Sequence, residues 1–143
     1  MANLKFLMAI ALLSTAAAGS AFAQDAASDQ SYPEACRSEV SHAGHGGPAQ
    51  PEPDMSAMNE HQRASMQGMA KMDRNMMQGM MKEDADIAFV CGMIAHHQGA
   101  IDMSQVELEY GDDAWAKEMA QKIIDAQMLE ITEMTKWLEE NAE

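Results

Sequence analysis

The stretch MIAHHQGAIDM, residues 93–103, sets His96 and His97 side by side among apolar residues, with Met93 before them and Met103 after. Upstream, MQGMAKMDRNMMQGMM, residues 66–81, carries seven methionines. Imidazole nitrogen accepts both oxidation states of copper, and thioether sulfur is a soft, neutral donor that suits Cu(I) and, by the same softness, Ag(I). A thioether needs no deprotonation, so it keeps its donor capacity in acid, where histidine takes up a proton. Met93 stands i, i+3 to His96 and i, i+4 to His97, so either ring can share an ion with it on a helix. An apolar stripe at helical spacing is ordinarily core, and methionine is an adaptable core residue. That accounts for the stripe but not for the choice of residue, because leucine specifies packing better. Residues 55–81 contain no Leu, Ile, Val or Phe. The excess of sulfur points to a soft ion.

Residues 1–23 read as a cleavable signal peptide, with Lys5 in a short n-region, an apolar run from Phe6 to Leu13, and small residues ending in Ala21-Phe22-Ala23. That run is too short to span a bilayer. The expected mature protein begins at Gln24 and is periplasmic or secreted. It keeps 14 of the 16 methionines, since Met1 and Met8 fall in the signal. Removing Lys5 takes the formal charge from −14 to −15. A chain this acidic is a poor partner for nucleic acid and for anionic membrane surfaces. Two cysteines, Cys36 and Cys91, form an even pair in an oxidising compartment. A disulfide is favoured there over a thiolate metal ligand.

Three elements must position these groups. Residues 24–53 are rich in Ser, Ala, Gly, Pro and acid, and HAGHGGPAQPEP has no periodicity, so this part reads as a flexible tail tied down at most by Cys36. A first helix is predicted to open at Pro53-Asp54 or Ser56 and run to Lys82. KEDAD, residues 82–86, breaks it and offers Asp84 or Asp86 as the next cap. A second helix runs to about Glu109. YGDD, residues 110–113, supplies Gly111 as a C-terminal glycine and Asp112 or Asp113 as a cap. A third helix runs from Ala114 to about Glu140. No stretch alternates as a strand would. Short loops force neighbouring helices antiparallel. The expected organisation is a signal peptide over 1–23, a disordered tail over 24–53, and an all-α antiparallel bundle of three long helices over 54–143.

Helical periodicity places His97 in the middle of an apolar face with Phe89, Val90, Met93, Ile94 and Ile101, and puts His96 beside Ala100 and Met103. Cys91 points away from that face, where a tethered tail can reach it. On the third helix, Gln127 and Glu130 intrude on a stripe that includes Trp115, Met119, Ile123, Met134 and Trp137. A carboxylate in a core stripe needs a partner, and Glu130 can orient an imidazole by accepting its second N–H. The seven methionines of residues 66–81 fall within half a cylinder.

DADIAFVCGMIAHHQGAIDMSQ, residues 84–105, resembles the central motif of the CopM-like family, catalogued as domain of unknown function 305. Asp86, Phe89, Met93, Ile94, His96, His97, Ala100, Ile101 and Met103 match its pattern, while Ala95 stands where the family often has proline. IIDAQMLEITEMTKWL, residues 123–138, is similar to the family's closing helix at Ile123, Gln127, Glu130, Ile131, Met134, Trp137 and Leu138. The resemblance implies a ferritin-like helical bundle and, for the better understood members, periplasmic copper binding.

The expectation is a periplasmic protein that sequesters or ferries copper, chiefly Cu(I), with Ag(I) as a mimic. It would exchange the ion with other periplasmic copper carriers. The expected metal site is His96, His97, Met93 and Met103, with Met72, Met76 and Met80 facing them. His42, His45 and His61 form a looser candidate set for Cu(II). A ferritin-like di-metal enzyme would need Glu-x-x-His pairs on two helices. The helices carry none, so no enzymatic activity is expected. The rival reading is a Met-rich interaction module that binds peptide or apolar surface without metal.

Overall fold

The computed structural model describes residues 31–38 and 55–142. The expected signal peptide, His42, His45 and most of the expected tail lie outside the described residues. Three helices carry the architecture: α1 (Glu60–Met80), α2 (Ala85–Tyr110) and α3 (Ala114–Asn141). Two short 3-10 turns, Glu34–Cys36 and Met55–Ala57, precede them. The described residues contain no strand, and none of their helices is long and apolar enough to cross a membrane.

Each helix starts where a side chain can accept from an orphaned backbone N–H. Asn59 opens α1 with a capping box. Its side chain accepts from the Gln62 N–H, and the Gln62 side chain accepts from the Asn59 N–H. This start lies downstream of the predicted one, because Ser56 is taken up by the 3-10 turn, where the Met58 N–H donates to the Met55 carbonyl. Asp84 caps α2, its Oδ1 accepting from the N–H groups of Asp86 and Ile87. Asp113 caps α3 by accepting from Ala116. Gly111 closes α2 with φ −74° and ψ 157°, an extended backbone, and a Cβ there would lie 2.7 Å from the Glu107 carbonyl oxygen. The short connections lay the helices antiparallel, and the bundle is compatible with the ferritin-like one expected.

α2 is the hub, and its two principal seams are with α1 and with α3. The α1 seam is close because glycines line it. A Cβ on Gly79 would lie 2.9 Å from the Cys91 carbonyl carbon, and one on Gly99 would lie 2.8 Å from Met72 Cγ. Lys71 Nζ reaches Asp102 Oδ2 across the same seam at 3.4 Å.

At one end of the bundle, residues 31–38 are packed rather than flexible, which corrects that part of the expected tail. Cys36 and Cys91 form a disulfide with Cα atoms 5.3 Å apart. Tyr32 is buried and its hydroxyl donates to the Cys91 carbonyl at 3.0 Å. Gln98 Nε2 donates to the Ser31 carbonyl at 3.1 Å. Tyr32, Cys36, Cys91, Ile94, Ala95 and Leu138 form the buried core, with Met76, Ile87, Val90, Ile131, Met134 and Trp137 packed against it.

Candidate functional site

His97 is 6% exposed, an uncommon position for an imidazole outside a functional or fully bonded setting. Its Nε2 lies 2.5 Å from Glu130 Oε2 on α3. An ionised carboxylate can only accept, so Nε2 is the donor in this pair, and in the neutral form of the ring the lone pair is on Nδ1. That Nδ1 is buried and has no hydrogen-bond partner. Leaving a buried polar atom unmatched costs about 1–3 kcal/mol. The ring is therefore held from one side and left without a partner on the other. Glu130 is the orienting partner that its place in an apolar stripe implied.

The seven residues expected to form the metal site do not meet in one place. Met93 is half-buried one turn before His97 on α2. His96 is exposed, with its ring set edge-on to that of His97 and centroids 5.9 Å apart. Met72 is half-buried over Gly99 on the α1 flank of α2. Met76 is half-buried against the core. Met80 is exposed, its Cγ 3.8 Å from where a Cβ of Gly92 would stand. Met103 is 56% exposed. It lines a cleft of about 290 Å³ between α2 and α3 together with Trp115, Met119 and Ile123.

Two groups result. His97 and Glu130 meet across the α2–α3 seam, with Met93 one turn before His97 on α2, whereas Met72 and Met80 lie against the glycines of α2 that face α1. The division follows from helix geometry. Gly92 and Gly99 are seven residues apart and so share one flank of α2, while His97 is two residues from Gly99 and projects nearly opposite it. His61 is exposed on the first turn of α1, 6.5 Å from the Tyr110 ring. Among the described residues, no three His, Cys, Asp or Glu side chains converge to hold a metal ion.

Periodicity alone did not distinguish Met119 and Met134 from core filler. Both lie on α3 facing α2, Met119 in the cleft and Met134 against the core. The signal that could have found them is the antiparallel register that the His97–Glu130 pair fixes. Tyr32 was also missed, because it lies in a segment with no periodic pattern.

No curated protein matches the chain. The model of domain of unknown function 305 (DUF305) matches residues 13–138, most of its length, and the chain belongs to that family.

Proposed function

We propose that this protein binds copper in the periplasm, sequestering or ferrying Cu(I) in copper homeostasis and resistance, with Ag(I) as a mimic and Cu(II) as a secondary cargo. The observation that carries the reading is the buried, unpartnered Nδ1 of His97 on a ring whose Nε2 is held by Glu130. Metal-ligating histidines almost always give their other N–H to a carboxylate, a carbonyl or water, which fixes the tautomer and raises the basicity of the free nitrogen. Met93 lies one turn away and supplies a soft donor, and the motif that holds both resembles that of copper-binding CopM-like proteins. The abundance of thioether, with no acidic or thiolate cluster beside it among the described residues, selects a soft monovalent ion over Zn²⁺ or Ca²⁺.

The test is a competition titration against a colorimetric Cu(I) chelator. Replacing His96 and His97 by Ala is expected to abolish tight binding. Glu130→Gln is expected to weaken it by about 10–100-fold, as changes of an orienting partner do. A double variant that binds as tightly as the wild type overturns the reading.

A second reading, a module that binds apolar peptide without metal, is favoured by the cleft around Met103, Trp115 and Met119, since Trp115 is 70% exposed. Salt-resistant binding of an apolar helical peptide by metal-free protein distinguishes it.

A further inference from the structure

Resting on the copper reading, we infer that Met134 of α3 completes a buried three-donor site for Cu(I) or Ag(I) with His97 Nδ1 and Met93, separate from the thioether row of α1. The His97–Glu130 contact fixes the register of the antiparallel α2–α3 seam. The cleft lined by Ser104, Glu107, Ala120 and Ile123 keeps the same register farther along. One turn back from His97 on α2 is Met93, and one turn on from Glu130 on α3 is Met134. The two methionines therefore stand across from each other, on the same side of the histidine–carboxylate pair.

Side-chain direction brings the His97 ring and Met134 to one level, beside the turn of α2 that carries Met93. Side chains on a helix lean toward its N-terminus. The His97 ring thus lies over the turn of α2 that holds Met93 and Ile94. α3 runs the opposite way, so Met134 leans back toward Glu130 and hence toward the level of the ring. Met134 packs against the core that contains Ile94 and Ala95, as this geometry requires. Met93 and Met134 are both half-buried, so an ion between them would be partly screened from water. Two neutral sulfurs and one neutral nitrogen suit a soft monovalent ion and disfavour Zn²⁺ and Mg²⁺. Glu130, with its side chain 53% exposed, would balance the charge without being a ligand.

The test uses the mature chain with its disulfide intact. Met93→Leu and Met134→Leu keep the volume and apolar character of each site. Cu(I) competition is expected to show the first equivalent weakened at least about tenfold in each, a loss of the size that changes around a ligand already produce. The triple replacement of Met72, Met76 and Met80 by Leu is expected to leave that equivalent unchanged. In the unmutated protein with ¹³C-labelled methionine methyls, one equivalent of Ag(I) is expected to shift the Met93 and Met134 signals and leave Met80 in place. This readout does not depend on a variant folding. If the wild-type protein takes up neither ion, the copper reading fails and takes the seam site with it. If it binds one equivalent while the Met93 and Met134 methyls stay unshifted and the α1 triple variant loses the ion, the seam site is overturned and the copper reading stands.

Discussion

Replacing Cys36 and Cys91 by Ala tests how the N-terminal segment is held. The disulfide links residues 55 apart in sequence, and in the chain-entropy model a loop of that length contributes about 4 kcal/mol by restricting the unfolded chain. A domain of this size is stabilised by only about 5–15 kcal/mol in total, so the loss is large. It also has a local component. Ordering residues 31–38 costs about 1–2 kcal/mol per residue in backbone entropy. Against that stand, among others, one buried tyrosine with its bond to the Cys91 carbonyl, the bonds from Gln98 to Ser31, and the bond from Lys82 to the Arg37 carbonyl. Ordering eight residues at that cost outweighs a handful of hydrogen bonds and one buried ring, so the segment is expected to leave the bundle when the bond is absent. Chemical denaturation followed by circular dichroism should show a loss of about 3–4 kcal/mol. Tyr32→Ala supplies the internal control. With the disulfide present it should cost about 3–5 kcal/mol, the usual range for emptying a buried aromatic site. In the cysteine-free protein it should cost less than about 1 kcal/mol, because an undocked tyrosine has no contacts to lose. A cysteine-free variant within about 1 kcal/mol of the wild type, with Tyr32→Ala still costly in it, would refute the tether argument.

Two further outcomes follow from the same packing. Gly79→Ala should destabilise by about 1–3 kcal/mol despite alanine's better helix propensity of about 1 kcal/mol, because the new Cβ would meet the Tyr32 hydroxyl at 2.6 Å and Cys91 backbone at 2.9 Å; a melting temperature above that of the wild type would refute it. Burial holds the Tyr32 phenol above its ordinary ionisation range. Its folded-state value exceeds the unfolded one, so the stability it contributes is complete below the unfolded value near pH 10 and is lost as pH rises beyond it. Ultraviolet titration should show Tyr32 ionising only with alkaline unfolding, and its ionisation while the helices are intact would contradict the burial.

Much of the scaffold was legible from residue types. Acidic pairs announced two helix starts, Asp84 or Asp86 and Asp112 or Asp113, of which Asp84 and Asp113 are the caps; the acid-rich loops between the helices announced the turns, and a cysteine pair in a chain expected to be exported announced the disulfide. Glu130 was legible as a partner for imidazole because a carboxylate in an apolar stripe has to be satisfied. The start of α1 was less clear, since Ser56 and Asn59 are both good caps and only the Asn59–Gln62 reciprocity decides between them. The division of the expected metal residues was not legible at all. A wheel drawn on one helix shows which residues share a face, but not which neighbour lies against it. Met72 and His97 were grouped as facing donors, yet α1 and α3 lie against different flanks of α2. The docking of Tyr32 was equally hidden, because a covalent bond, not periodicity, brings it to the core.

That bond gathers only one end of the molecule. Tyr32 and Cys36 join the end of α1 at Gly79, the early turns of α2 at Cys91, and the end of α3 at Leu138. At the far end the short turn of residues 111–113 joins α2 to α3, beside the cleft lined by Met103 and Trp115. α2 and α3 are thus fastened near both ends, by a covalent turn at one and by the disulfide-held segment at the other. The ring of His97 is braced between two clamps, so a slip of one helix along the other would be felt at its bond to Glu130.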